Sequence, residues 1–296
     1  MKPAPFDYFA PAATEEALSL LAEHGYDAKV LAGGQSLIPM MNFRLVQPSI
    51  LVDLNNIAEL AYLREGEDGG LRIGAMTRHR QVETSPLAAK RAPLIHAAMS
   101  KIAYPQVRTR GTFGGSVSHA DPSAELPALS LALRGKFRLR SQRGERWVPA
   151  EEFFVSLFTT VLEPDELLVE ASIPPMPPRS GWSLQEVARR PHDFALMGVA
   201  AVVTLDEKGL CKEARLTFIS AGDRPMAAER AAEALKGQAP SPQVMKEAAE
   251  IASTQEIDPS SDIHATAEFR RHLANVLTRR ALEQAFQRAA ETTQEG

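Results

Sequence analysis

Two adjacent glycine pairs constrain this chain more than any other feature. Gly33-Gly34 lies in the run KVLAGGQSLIPMM, and Gly114-Gly115 lies in RTRGTFGGSVSHADPSAELP. Each pair sits where an apolar stretch gives way to small hydroxyl residues, and without a Cβ the backbone N–H groups can surround an anion. Ser36, Thr112, Ser116 and Ser118 stand beside the pairs, and Glu125 follows the second. Either pair alone is more often a tight turn. Together they describe a cradle for a diphosphate with a ribose attached, the shape of a dinucleotide. Any fold that builds it must bring together two segments far apart in the chain.

The 296 residues allow two or three compact units, and 44% hydrophobic content is ordinary for a globular protein. A net charge of −4, with acids and bases interspersed, argues against a nucleic-acid footprint. Cys211 is the sole cysteine, so this chain can neither close an internal disulfide nor supply the four thiolates of an iron–sulfur cluster. The seven histidines form no H-E-x-x-H or clustered ligand set, so no metal is expected; His119 and Asp121 read as loop-shaping residues. The start MKPAPFDYFAPA is not patterned as a leader, and no run of 18 apolar residues occurs, which leads to the expectation of a cytoplasmic protein without a membrane span.

Thr14 is placed as the N-cap of a helix over 15–24, with Gly25 as its stop. Residues 29–32 read as a short strand delivering the first glycine pair to a short helix from Leu37. This order is not the strand-first G-x-G-x-x-G unit, and no P-loop run exists. Strands are expected at 50–54, 61–64, 71–74, 136–140, 146–148 and 167–173, and helices at 78–83, 87–91, 93–101 and 125–133. The run Ile173-Pro174-Pro175-Met176-Pro177-Pro178, with four prolines in five residues, continues neither helix nor central strand and marks the domain boundary. Beyond it, strands at 184–188, 197–205 and 214–220 form a three-stranded sheet, and helices follow at 226–235, 242–253 and 265–290. In the last helix Phe269, Leu273, Val276, Leu277, Ala281 and Phe286 share one side, leaving Arg270-Arg271 and Arg279-Arg280 on the wet face. Cys211 reads as a small core hydrophobe.

With both loops, the proline linker and the tail SDIHATAEFRRHLANVLTRRAL in view, the chain resembles the FAD-binding medium subunit of molybdenum hydroxylases. That family includes carbon monoxide dehydrogenase and xanthine dehydrogenase. The resemblance spans nearly the whole chain and implies an α+β architecture. Residues 1–176 would form a vanillyl-alcohol-oxidase-type (PCMH-type) FAD-binding domain of two α/β subdomains, about 1–56 and 57–176. Residues 180–290 would form a small α+β C-terminal domain with a three-stranded antiparallel sheet and helices.

The resemblance also carries site residues. Ala32, Gly33, Gly34, Gln35 and Ser36 would wrap the pyrophosphate, with Lys29, Val30 and Leu31 as the approaching strand and Ile38 following. Gly111, Thr112, Gly114, Gly115 and Ser116 would close the second side, with His119 nearby. Glu125 stands where an acid accepts hydrogen bonds from the adenosine ribose. Ile102, Val161 and Leu162 match apolar contacts to the rings, Gln185 a polar contact, and Phe194 a side chain beside the isoalloxazine, with Asp193 close to it. Gln35 replaces a histidine of many relatives, so FAD is expected to be noncovalent; Phe194 replaces a tyrosine and Ser116 an asparagine or aspartate.

No side chain is required as a catalytic base. Electrons would arrive from the [2Fe-2S] clusters of a small subunit, a large molybdopterin subunit would hydroxylate the substrate, and FAD would serve an external acceptor. A dimer of heterotrimers is the implied assembly. Two other readings are a stand-alone flavoprotein reductase like that acting on UDP-N-acetylenolpyruvoylglucosamine, and a flavin-free scaffold. The first lacks its serine and glutamate pattern near the C-terminus, and the retained glycine pairs speak against the second.

Overall fold

The apolar runs offered as strands assemble into three sheets in the computed structural model, which describes residues 2–294. In the first sheet Asp7–Phe9, Ile50–Asp53 and Ala28–Leu31 run parallel, with Ile50–Asp53 in the middle. Ala17, Leu18 and Leu21 of helix Thr14–His24 join Val52 in its core. Thr14 is not the cap. Ala13 holds the N-cap position, and the Thr14 hydroxyl donates to Glu59 Oε1 at 2.5 Å, tying the helix to a later turn. Strand Asp7–Phe9 escapes the sequence reading because its three residues are exposed and only their backbone pairing to Ile50, Leu51 and Val52 makes them a strand.

The second sheet is antiparallel, in the order Leu63–Glu65, Leu71–Gly74, Leu167–Ile173, Lys136–Ser141, Gly144–Pro149. Every residue of Leu167–Ile173 is buried because both faces are covered. Leu168, Ala171 and Ile173 enter the larger core, whereas Leu167 and Val169 pack beneath the first sheet. This strand therefore fastens the two glycine-bearing halves together.

The chain then crosses 174–177 without helix or strand and enters the third sheet, Ser180–Val187, Met197–Leu205 and Cys211–Ile219, all antiparallel. The expected three strands become four. Met226–Ala227, read as the start of a helix, pairs with Thr217 and Phe218 instead, and the helix begins only at Glu229. In Met197–Leu205, Met197, Val199, Ala201 and Val203 face the core under the last helix, Ala267–Gln294, while Ala200 and Val202 enter the larger N-terminal core. Hydrogen bonds from Thr217 Oγ1 to the Ala128 carbonyl (2.9 Å) and from Ser220 N to the Pro122 carbonyl (2.8 Å) seat this sheet on helix Glu125–Ala132 and the loop before it.

The last helix buries Leu277, Ala281 and Phe286 as its pattern requires. Its first turn does not follow the pattern. Phe269 is 46% exposed, while Arg270 is 6% exposed and donates to the Leu196 carbonyl and to Asp262 Oδ2 at 2.7 Å. Arg270 thus anchors the loop before Met197 rather than lining the wet face; Arg279 and Arg280 are exposed. Cys211 is buried, and burial pushes its thiol up to about 11, the behaviour of a small hydrophobe.

Candidate functional site

Strand Ala28–Leu31 ends at the first glycine pair, and the chain turns through 32–36 into helix Leu37–Asn42. Gly34 adopts φ +73°, a conformation that a side chain strains, and Ile38 N donates to its carbonyl. Among the described residues no acceptor takes the N–H groups of Gly33, Gly34, Gln35 and Ser36. Consecutive free amides around a left-handed residue form an anion-binding concavity. Residues 33–35 of this row border a cavity of about 390 Å³, lined by 31–35, Ile38, Pro39 and Asn42 and closed by Asp53, Asn55 and Arg110. The chemistry of this donor set suits a diphosphate.

The second pair behaves differently. It lies in the first turn of helix Phe113–His119, which the sequence reading treated as a loop. Its amides are engaged: Phe113 N donates to the Thr77 carbonyl, Gly114 N to the Ala75 carbonyl, Gly115 N to Thr112 Oγ1 and Ser116 N to the Thr112 carbonyl, at 2.9–3.1 Å. These amides are therefore occupied by protein acceptors, unlike those of the first loop. Their glycines serve contact instead: a Cβ on Gly114 would lie 2.6 Å from Ala75 Cβ, and one on Gly115 2.6 Å from Thr112 Oγ1.

The two loops do meet. A Cβ on Gly33 would fall 2.4 Å from the Arg110 carbonyl oxygen and 2.8 Å from Gly111 Cα, while the Gly115 position faces Ala32 at 3.4 Å. A polar network absent from the sequence reading holds them together. Asn55 Nδ2 donates to the Ala32 carbonyl at 3.0 Å, and Arg78 reaches both Asn55 Oδ1 and the Arg110 carbonyl. Asn55 is itself held by Asp53, which accepts from the Tyr8 hydroxyl at 2.6 Å. The one available clue was position: Asp53 ends a parallel strand and Asn55 lies in the turn just after it, the edge at which α/β sheets bind ligands.

Behind Gly111 sits His79, 4% exposed, with Nε2 donating to the Thr112 carbonyl at 3.0 Å. Burial pulls its pKa down to about 4, so the ring is neutral at neutral pH. His119 also titrates low, through burial, and stacks on Phe158 with centroids 4.9 Å apart. Lys29 is exposed on the approaching strand and its charge acts on His119, whereas Val30 packs into the core under the first sheet.

The remaining carried-over residues spread away from this cavity. Ile102 belongs to the larger core, with Val161 and Leu162 packed against that core. Arg108, 5% exposed and paired with Glu83, donates to the Ile102 and Ala103 carbonyls and so fixes that turn; sequence reading missed it. Phe194 is 69% exposed, on a loop where the His192 ring packs at a tilt against Tyr104, centroids 5.3 Å apart. Gln185 is turned away from the N-terminal region: its Nε2 donates to Ser183 Oγ and Gln284 Oε1 under the last helix. Strand alternation sends its neighbour Glu186 to the opposite face, where Lys101 Nζ lies 3.6 Å from Oε1. Glu125 is 8% exposed, and burial, reinforced by Glu186, pushes its carboxyl up to about 8.

Comparison with known proteins agrees with this geometry. Residues 4–176 match the FAD binding domain in molybdopterin dehydrogenase, and residues 182–285 match the CO dehydrogenase flavoprotein C-terminal domain. The chain is 41% identical to the 6-hydroxypseudooxynicotine dehydrogenase complex subunit alpha of Paenarthrobacter nicotinovorans, covering 99% of this chain and 98% of that one. It superposes on a carbon monoxide dehydrogenase chain from Hydrogenophaga pseudoflava with a TM-score of 0.94 at 38% identity, over 97% of this chain and 99% of that one. Quinoline 2-oxidoreductase from Pseudomonas putida 86 gives 0.92 at 39% identity, over 98% and 99%. An α+β PCMH-type fold with two subdomains and a small C-terminal domain, matched from end to end, makes this oxidoreductase chain a member of the FAD-binding medium-subunit family of molybdenum hydroxylases.

Proposed function

We propose that this chain carries noncovalent FAD as the medium subunit of a three-subunit molybdenum hydroxylase. It would take electrons from the [2Fe-2S] clusters of a small subunit and pass them to an external acceptor, while a large molybdopterin subunit hydroxylates the substrate. The observation that carries this reading is the row of four unengaged amides, 33–36, the first three on residues that border the cavity where the first glycine loop touches the second. Gly33, Gly34, Gln35 and Ser36 would hold the pyrophosphate, with the Arg110 guanidinium at the rim supplying positive charge. Asn55 and Arg78 keep the two loops in register. Bound FAD would supply the exchange between one-electron and two-electron transfer.

Gln35 offers no imidazole for a covalent link, and the buried, high-pKa Cys211 is no alternative attachment point. Among the described residues no helix is long and apolar enough to cross a membrane. Similar chains bear names with different substrates: a caffeine dehydrogenase subunit is 38% identical and a carbon monoxide dehydrogenase medium chain 37%. Substrate choice therefore falls to the large subunit.

The test is to express the chain with its proposed partners, strip the flavin and add FAD back. A yellow chromophore that returns stoichiometrically and is released into the supernatant by acid is expected. Failure of the chain to take up FAD, or a chromophore that stays with the acid precipitate, overturns the reading.

A further inference from the structure

The cavity that suits a diphosphate has an acid in its wall. Asp53 closes strand Ile50–Asp53 as the register partner of Leu31, so its backbone stands about 5 Å from the strand that delivers Gly33 and the free amides. Asp53 and Arg110 are the charged side chains among the lining residues. A carboxylate beside an anion site opposes binding, so its presence there calls for a physical reason.

The side chain is held in place. Its Oδ2 accepts from the Tyr8 hydroxyl at 2.6 Å, and its Oδ1 accepts from Asn55 N at 2.9 Å and from Asn55 Nδ2. All three donors are neutral, so they fix the carboxylate without cancelling its charge. The bond to Asp53 holds the Tyr8 phenol above the usual tyrosine range, which keeps it a donor. Arg78 is the cation whose field reaches Asp53 from behind the wall, but its guanidinium is engaged by Asn55 Oδ1 and the Arg110 carbonyl, and Arg78 does not line the cavity. The wall thus offers one positive and one negative side chain beside a row of neutral amides.

An amide row attracts anions of any charge, and the side chains decide how much charge the cavity accepts. In a dinucleotide both phosphates are esterified on both sides and carry one negative charge each. A free terminal phosphate carries about two above pH 7. We propose that Asp53 is a specificity-determining residue, whose carboxylate repels the second charge of a terminal phosphate and so selects a diphosphate esterified at both ends over a nucleoside diphosphate with a free end. The proposal rests on the reading that this chain binds FAD through residues 33–36. ADP shares the adenosine diphosphate half of FAD, so contacts to that half alone do not separate the two. One added unit charge a few ångströms away, in a site between water and protein interior, changes affinity about tenfold.

The test uses two probes that share adenosine diphosphate and differ at its end: ADP-ribose, esterified on both sides, and ADP, with a free terminal phosphate. Each competes with FAD for the deflavinated full-length protein at about pH 8, where the terminal phosphate is fully charged. The wild type should prefer ADP-ribose by about tenfold or more at low salt, and about 0.5 M salt should shrink that gap. Asp53→Asn, which keeps the shape, should still bind FAD and narrow the gap about tenfold by strengthening ADP. Tyr8→Phe breaks the same network at an exposed side chain but leaves the charge, so its gap should stay as wide as that of the wild type. A wild-type gap that salt leaves unchanged overturns the proposal without any variant. An equal gap in Asp53→Asn and the wild type overturns it too, and so does a gap that Tyr8→Phe narrows as much as Asp53→Asn. Absence of FAD binding by the wild type refutes the parent reading instead, so the two failures are distinguishable.

Discussion

The same dipeptide does two physical jobs in this molecule. At Gly33-Gly34 the amides stay open toward a cavity, and the missing side chains let two distant loops touch. At Gly114-Gly115 the amides are engaged, and the missing side chains let a helix start flush against Ala75 and Thr112. The first pair faces a cavity, where we propose the ligand binds; the second builds the wall on which the first rests. A glycine pair in sequence therefore reports close approach, and only the partner of each N–H tells whether the approach is to ligand or to protein.

Substitution at each pair separates the two jobs most strongly. Gly33→Val drives a branched Cβ into the Arg110 backbone, so FAD retention on gel filtration should be lost outright. Gly114→Ala instead forces Ala75 away, and overpacking of this kind costs roughly 1–3 kcal/mol, visible as a lower Tm before any direct effect on FAD. If Gly33→Val unfolds the protein while Gly114→Ala only weakens FAD binding, the comparison is inverted and fails.

His79 sharpens the contrast through pH. Its folded pKa of about 4 lies below the unfolded value of 6.5, so the unfolded chain takes up the proton first as pH falls. Its stabilising contribution is complete above pH 6.5 and is lost on acidification toward about pH 4, by on the order of 3 kcal/mol. Urea midpoints across that range should fall less in His79→Gln than in the wild type; parallel curves would remove His79 from the wall.

Smaller effects are expected from the network between the loops. Asn55→Ala removes the bond to the Ala32 carbonyl and frees Arg78, which should weaken FAD binding about tenfold, near 1.4 kcal/mol, with little change in Tm. Arg110→Gln leaves the backbone contact with Gly33 in place and deletes an exposed rim charge. The expected loss is only about threefold and should shrink at high salt; a salt-independent loss would show that the guanidinium does more than attract the anion.

Most strands and helices were legible because their apolar residues repeat at the period of the element, as in Met197–Leu205 and the later turns of Ala267–Gln294. The misses share a cause. Asp7–Phe9 and Met226–Ala227 are strands only because a neighbour offers backbone groups to pair with, and their side chains carry no periodic signal. Thr14, with a capping residue's chemistry, found a better partner in Glu59. Arg270, in a cationic pair that reads as solvated, is buried because the Leu196 carbonyl and Asp262 stand within its reach.

For the site, sequence alone determined the glycine positions, the lack of a histidine in the first loop and the acidic residue at the head of helix Glu125–Ala132, since these depend on residue type and local order. Tertiary structure decided which amides remained free, which face of strand Ser180–Val187 met the cofactor domain, and that Asn55, Arg78 and His79 would hold the loops. The physical reason is that propensity and spacing are properties of neighbours along the chain. The fate of a hydrogen-bonding group depends on whichever distant segment folding brings against it.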